Sequence, residues 1–147
     1  NEVVGWLREN RIPTILGNHE WGFLGPQGVR ARAADWVDQD LVDWLEAQPY
    51  RLELERHGHR ILMVHSTPWE PQGEYVLPGS KDLERFGDAD IVLYGHTHQQ
   101  VAERVGDVLV VNPGSAGDAR DARNGRQLSC AVLDLAAGEA RLIDFGV

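Results

Sequence analysis

Two histidines end the stretch Ile91-Val92-Leu93-Tyr94-Gly95-His96-Thr97-His98. A short β-branched run that ends at glycine predicts a buried strand leading into a loop. In an extended segment, residues two apart lean to the same face, so both imidazoles can approach one small volume. Neutral imidazole is the commonest metal ligand in proteins. The motif alone leaves two interpretations open: part of a metal site, or a pair of hydrogen-bonded loop histidines.

Two earlier apolar runs also end in polar side chains. Ile15-Leu16 leads into Gly17-Asn18-His19-Glu20, and Ile61-Leu62-Met63-Val64 leads into His65. We therefore predict strands over 12–16, 60–65 and 91–94. Ligands bind at the carboxyl ends of the strands in open α/β sheets, so these strand ends are predicted to meet in one site.

These stretches, with Val111-Asn112-Pro113-Gly114-Ser115, resemble the calcineurin-like metallophosphoesterase superfamily and its compact bacterial and archaeal branch. The other matching pieces are Gly-Asn-His-Glu at 17–20, the histidine of 64–68 and Gly-His-Thr-His at 95–98. Their order and spacing agree with the family. The resemblance implies an α/β fold in which a two-sheet β-sandwich is flanked by helices, in the order αββα.

The resemblance covers nearly all of the chain, but the chain does not cover the whole family domain. The family's opening Asp-x-His motif and its Gly-Asp motif, which carries a bridging aspartate, would precede residue 1. The sequence begins with Asn1 rather than an initiating methionine, and residues 2–9 already have a helical pattern. We expect residues 1–147 to be the C-terminal portion of a single metallophosphoesterase domain that lacks its first strand–helix units.

The resemblance also implies roles for five residues. Asn18, His65 and His96 would bind the second of two divalent metal ions, and His98 would bind the first. His19 would not bind metal. It matches the family position that stabilises the transition state and protonates the leaving oxygen, a general-acid role that the pKa of imidazole suits.

The function implied is hydrolysis of a phosphomonoester or phosphodiester by a metal-bound hydroxide. Two divalent ions about 3.5–4 Å apart can lower the pKa of a water molecule and clamp both oxygens of an in-line displacement at phosphorus. Imidazole, amide and carboxylate ligands suit Mn²⁺, Fe or Zn²⁺, and we expect manganese. Because His98 alone represents the first site, the chain by itself is expected to be inactive.

Two other functions remain open. One is a non-catalytic binding or scaffold module of the same fold, and the other is a nuclease of the superfamily. The formal net charge of −9 argues against binding to nucleic-acid backbones, as does the lack of a basic stretch interleaved with aromatic residues. We therefore expect a small phosphate ester as the partner and no nucleic acid.

Composition also bears on the compartment. No apolar run has the length of a membrane span, and the first residues have no signal-peptide pattern. Cys130 is the single cysteine, which suits a reducing compartment, and we interpret it as a small buried hydrophobic residue. A cytoplasmic protein without membrane contact is expected.

Hydrophobic periodicity and turn residues predict the remaining elements. They are helices over 2–9, 29–48 and 81–86, a hairpin of 51–55 with 60–65, strands over 100–105 and 108–111, a hairpin of 128–135 with 140–145, and loops over 21–28, 67–80 and 118–125. Residues 112–117 form either a tight turn or the border of a phosphate site. His57 and His59, on either side of Gly58, are interpreted as solvated turn residues.

Overall fold

The computed structural model of the chain describes residues 1–70, 73–87 and 89–146. Its helices come first along the chain. They are α1 (Glu2–Glu9), α2 (Asn18–Leu24), α3 (Val29–Arg32) and α4 (Gln39–Glu46). Short 3-10 turns lie at Pro26–Gly28, between α2 and α3, and at Lys81–Arg85 and Ala122–Asn124. None of the helices in these ranges is long and apolar enough to cross a membrane.

Seven strands in the described residues form two sheets. The strands are β1 (Arg51–Arg56), β2 (His59–Val64), β3 (Ile91–Leu93), β4 (Gln100–Val105), β5 (Val108–Pro113), β6 (Leu128–Asp134) and β7 (Glu139–Phe145). The larger sheet has the order β1-β2-β3-β5-β4, and β6 pairs with β7. Strands β2, β3 and β5 run parallel, whereas β1 and β4 are antiparallel to their neighbours.

The parallel strands are covered on both faces, which is why their sequences are nearly all apolar. One face packs against the 3-10 turn at Lys81–Arg85 and its flanking loops. The cluster between them includes Leu62, Val92, Val110, Leu83 and Phe86. The other face packs against the second sheet through a cluster of Ile61, Ile91, Leu109 and Val111, with Ala131 and Leu133 against it. The predicted mixed α/β fold with two sheets is confirmed. The second sheet is small.

The predicted strand over 12–16 is wrong. Residues 12–17 have no strand assignment, although Leu16 is buried and its amide donates to the Pro49 carbonyl at 2.9 Å. A strand requires a neighbour, and no described strand pairs with this segment. The segment instead borders an apolar cavity of about 290 Å³ between the two sheets.

Two predictions for residues 21–48 are also wrong. The loop over 21–28 is largely helical, because α2 begins at Asn18 and the Glu20 carboxylate accepts the Gly17 amide at 3.0 Å. The single helix over 29–48 is two helices. Residues 33–38 separate the two helices, and Asp38 begins α4 as its N-cap because its carboxylate accepts the amides of residues 40 and 41.

The other elements follow the sequence closely. The hairpin turn at Gly58 is confirmed. The short helical turn Lys81–Arg85 begins at Ser80, whose hydroxyl accepts the Asp82 amide. His57 is exposed as predicted. His59 is not a solvated turn residue, because it lies in β2 and its Nε2 lies 3.0 Å from the Leu135 carbonyl oxygen. Cys130 is half-buried on β6. Residues 71 and 72 of the predicted loop 67–80 lie outside the described residues.

Gly114, directly after β5, permits a close contact between the two sheets. Its φ is +79°, and a Cβ there would lie 2.1 Å from the Ser129 hydroxyl of β6. Gly114→Ala is expected to lower the free energy of unfolding by about 2–4 kcal/mol, from the left-handed backbone and the overlap together. Urea unfolding checks it. Gly117→Ala is the matched control, since a Cβ there meets nothing within 4 Å, and an equal loss in both variants would contradict the packing argument.

Candidate metal centre

Two predicted metal ligands lie at the carboxyl ends of parallel strands, and a third lies beside them at the start of a helix. His65 follows the last residue of β2, and His96 follows β3 after Tyr94 and Gly95. Asn18 is the first residue of α2. The parallel pairing of β2 with β3 places the two strand ends side by side, and the main-chain amide of Gly95 donates to the His65 carbonyl at 2.8 Å.

The side chains of these three residues are in direct contact. Asn18 Oδ1 lies 2.7 Å from His65 Nε2, and His65 Nε2 lies 3.1 Å from His96 Nδ1. The imidazole rings have centroids 5.0 Å apart and planes at 70°. Three potential donor atoms thus meet in one small volume. We call Asn18, His65 and His96 the trio.

The other two predicted site residues surround the trio. His19 and His98 both lie near enough to His65 that either ring, when protonated, would lower the pKa of His65. His19 is exposed, and His98 is half-buried against Asp118. Within the described ranges no three His, Cys, Asp or Glu side chains are grouped so as to hold an ion, because the trio combines only two histidines with an amide. The assigned roles of these five residues stay predictions.

The backbone of the Gly-His-Thr-His loop is unusual at both histidines. His96 has φ +64° and His98 has φ +56°, values in the left-handed region. L-amino acids other than glycine pay about 1–2 kcal/mol in this conformation. Two such residues within three positions mark a loop that the surrounding fold holds against its own backbone preference.

Asn112 holds this loop and is a residue that the sequence did not assign to the site. It is fully buried at the end of β5, and its Nδ2 donates to the Gly95 carbonyl at 2.8 Å and to the Thr97 hydroxyl at 3.1 Å. Its Oδ1 accepts the Gly114 amide at 3.0 Å. The Asn-Pro-Gly-Ser stretch therefore forms a turn that anchors the histidine loop.

Gly17 permits the close approach of His65. A Cβ at position 17 would lie 2.8 Å from Cε1 and Nδ1 of the His65 ring, so any larger residue would push the imidazole away. The sequence alone does not predict this contact of Gly17. Its role is to let the imidazole lie against the main chain.

Three more residues border the histidines and were missed from sequence. The Tyr75 ring lies over His96, with centroids 4.2 Å apart and planes at 39°. The Asp118 carboxylate lies 3.2 Å from His98 Nδ1 and 2.6 Å from the Arg120 guanidinium. The order of apolar and polar residues does not mark these positions, because long-range packing brings the segments that carry Tyr75 and Asp118 to the histidines.

Burial in this cluster acts on the protonation of two histidines. Burial, reinforced by the repulsion that a protonated His96 would exert, lowers the pKa of His65 to about 4. Burial is also the main cause that lowers the pKa of His96. Both rings are therefore neutral at pH 7, the form in which imidazole binds metal ions.

The pKa of His65 gives a testable dependence of stability on pH. The unfolded imidazole takes up a proton near pH 6.5, whereas the folded one stays neutral to about pH 4, so the unfolded state binds more protons between these values. The free energy of unfolding should fall as the pH is lowered through this window. We expect about 1–2 kcal/mol from His65, less than the pKa difference alone gives, because solvent screens this half-buried site.

Urea unfolding at pH 7 and pH 4.5 measures the effect by comparison of the wild type with His65→Gln. The glutamine variant should lose less stability between the two pH values. His57→Gln, at an exposed turn, should lose as much as the wild type. Identical pH profiles for all three proteins would show that His65 is not held neutral by the fold.

The donor set suits a transition-metal ion. Two neutral imidazoles and an amide oxygen are ligands that Mn²⁺, Fe or Zn²⁺ accept. His96 Nε2 is buried and has no hydrogen-bond partner among the described residues. Nε2 is not the His96 atom that meets Asn18 and His65, so the fit of an ion rests on the three donor atoms of the trio. The residues present thus fit an ion bound by the trio.

Comparisons with known proteins identify the family of the chain. The sequence matches the calcineurin-like phosphoesterase superfamily domain over residues 1–138. The chain is 27% identical over 150 residues to the uncharacterized protein MJ0912 of Methanocaldococcus jannaschii, covering 84% of this chain and 61% of that protein. It is 31% identical over 87 residues to the phosphodiesterase YfcE of Escherichia coli K12, covering 59% of this chain and 42% of that one.

A solved structure shows the same fold. A metallophosphoesterase from Sphaerobacter thermophilus matches with a TM-score of 0.76 and 20% identity, over 99% of this chain and 70% of that one. The chain spans less than two thirds of the length of the two sequence relatives. Since the superfamily domain matches nearly the whole sequence, the chain belongs to the calcineurin-like phosphoesterase superfamily.

Proposed function

We propose that the protein containing this chain is a metal-dependent phosphoesterase that hydrolyses a phosphodiester or phosphomonoester at a dinuclear centre. The observation that carries the proposal is the convergence of Asn18 Oδ1, His65 Nε2 and His96 Nδ1 within 2.7 and 3.1 Å contacts. A relative named as a phosphodiesterase, YfcE, favours the diester. The partner is then a small phosphate ester.

The trio would hold one divalent ion, with manganese favoured, and His98 would contribute to a second. When bound, the ions supply Lewis-acid chemistry that lowers the pKa of a water molecule and neutralises charge on the phosphate. Asn112 and Gly17 keep the donor atoms in position. Asn112 fixes the histidine loop, and Gly17 leaves room for the His65 ring. Low imidazole pKa values keep the histidine lone pairs available at neutral pH.

His19 is proposed as the general acid. It follows Asn18 at the start of α2 and is exposed, so its ring can exchange protons with water and reach an ester bound at the trio. Protonation of the leaving oxygen by a positioned imidazole contributes about 10²–10⁴-fold in rate. Tyr75 lies beside His96 and is 59% exposed, so its exposed ring face is proposed to contact a group of the ester.

The compartment is proposed from Cys130. This half-buried thiol is free, and a lone thiol stays reduced in the cytoplasm. We therefore propose a cytoplasmic enzyme.

The test compares the protein that contains this chain with the 147-residue chain alone. The longer protein, stripped of metal and reloaded with Mn²⁺, should hydrolyse bis(4-nitrophenyl) phosphate, and 4-nitrophenyl phosphate should report monoesterase activity. The chain alone should hold at most one weakly bound ion and show negligible turnover, because one ion cannot clamp both oxygens of the displacement. Metal analysis accompanies both assays.

Two outcomes would count against the proposal. A longer protein that holds the ions but hydrolyses neither ester would favour a binding module of the same fold. Robust turnover by the 147-residue chain with two tightly bound ions would show that its own residues complete the centre.

A further inference from the structure

The contact between His98 and Asp118 fixes the position of a proton. His98 Nδ1 lies 3.0 Å from the main-chain carbonyl oxygen of Asp118 and 3.2 Å from its carboxylate Oδ2. A carbonyl oxygen and an ionised carboxylate can only accept hydrogen bonds. A neutral His98 must therefore carry its proton on Nδ1, which leaves the lone pair on Nε2.

Asp118 is itself held in place from two sides. The Ser115 hydroxyl accepts its main-chain amide at 2.9 Å, and also the Gly117 amide at 3.3 Å. Arg120 donates through Nε at 2.7 Å to the same carboxylate oxygen that faces His98. The carbonyl and the carboxylate of Asp118 are thus both fixed relative to the histidine ring.

We propose that Asp118 is a positioning residue, which holds the proton of His98 on Nδ1 and so presents Nε2 to a metal ion. The inference rests on the proposed function in one respect, that His98 binds an ion. Ligating histidines are commonly oriented by a carboxylate or carbonyl on their other nitrogen, and loss of that partner lowers metal affinity about 10–100-fold. Here one residue supplies both acceptors.

Long-range ¹H–¹⁵N spectra of the ¹⁵N-histidine-labelled full protein at pH 8.5 test the proton position. The His98 signals are identified by their loss in His98→Gln. The wild type should show a protonated Nδ1 and an unprotonated Nε2. Asp118→Asn keeps a side-chain oxygen acceptor and should keep this tautomer, whereas Asp118→Ala leaves only the main-chain carbonyl as an acceptor and should lower the population of the tautomer. A wild-type ring protonated on Nε2, or an unchanged spectrum in Asp118→Ala, overturns the proposal.

A Zn²⁺ titration of the full protein, followed at the same signals, tests the consequence for metal binding. The ion should shift His98 Nε2 rather than Nδ1, and Asp118→Ala should need about 10-fold or more Zn²⁺ for the same change. Asp107→Ala, at the exposed turn between β4 and β5, should match the wild type. Equal Zn²⁺ requirement in both variants overturns the positioning role. If Zn²⁺ shifts neither nitrogen of His98, His98 is not a metal ligand and the metal-binding part of the proposal is overturned. The spectra of the metal-free protein then still show whether Asp118 fixes the tautomer of His98.

Discussion

Replacing His96 by alanine in the metal-loaded protein is expected to lower phosphodiester hydrolysis by more than about 100-fold. The residue would supply Nδ1 to the point where Asn18 and His65 also converge, so its loss removes one of three donor atoms. Residues that merely orient ligands are worth about 10–100-fold, and a ligand should be worth more. Metal content measured after gel filtration should fall together with the rate.

His19→Ala is the matched comparison, since it removes a neighbouring histidine that is proposed to act as a general acid. It should leave the metal content unchanged and lower turnover by about 10²–10⁴-fold for esters with a poor leaving group. Esters of 4-nitrophenol should be less affected, because that leaving group needs no proton. Equal metal loss in the two variants would show that His19 is a ligand.

Asn112→Leu is expected to have the largest effect on stability. The two side chains are similar in size, but leucine leaves the Gly95 carbonyl, the Thr97 hydroxyl and the Gly114 amide without the partners that Asn112 provides. Each buried polar group left unpaired costs about 1–3 kcal/mol. The free energy of unfolding should fall by about 3 kcal/mol or more, and metal affinity should fall with it.

Thermal unfolding and a metal titration check this expectation. Asn10→Leu, where the asparagine is exposed and bonds only locally to the Trp6 carbonyl, should change neither quantity appreciably. An Asn112→Leu protein as stable as the wild type would show that the histidine loop does not depend on this anchor.

The sequence predicted correctly those elements in which the residue types alone indicate burial. The apolar runs of β2 and β3 predicted buried strands, and the polar residues at their ends predicted the contact between His65 and His96. It failed for residues 12–16, because whether an apolar extended segment becomes a strand depends on a neighbour that its own sequence does not encode. It also failed at Asp38, where a local N-cap overrode a helical pattern on both sides.

The residues that support the site were harder to predict for a different reason. Asn112, Asp118 and Tyr75 act through contacts with residues 15 to 21 positions away along the chain, as in the bond from Asn112 to Thr97. Such contacts depend on register and loop conformation, which periodicity does not specify. Asn112 did carry a signal, since a fully apolar strand that ends in asparagine, proline and glycine marks a turn with a buried amide to satisfy.

The left-handed backbone at His96 and His98 has a consequence for directed evolution. Glycine adopts this backbone conformation without steric strain. Replacing another residue by glycine there should raise the free energy of unfolding by about 1 kcal/mol. A selection for heat resistance alone should therefore accumulate glycine at positions 96 and 98 and erase the imidazoles. Only a selection that also rewards turnover would keep them, so the histidine frequency at these two positions measures how strongly a population depends on the chemistry rather than on the fold.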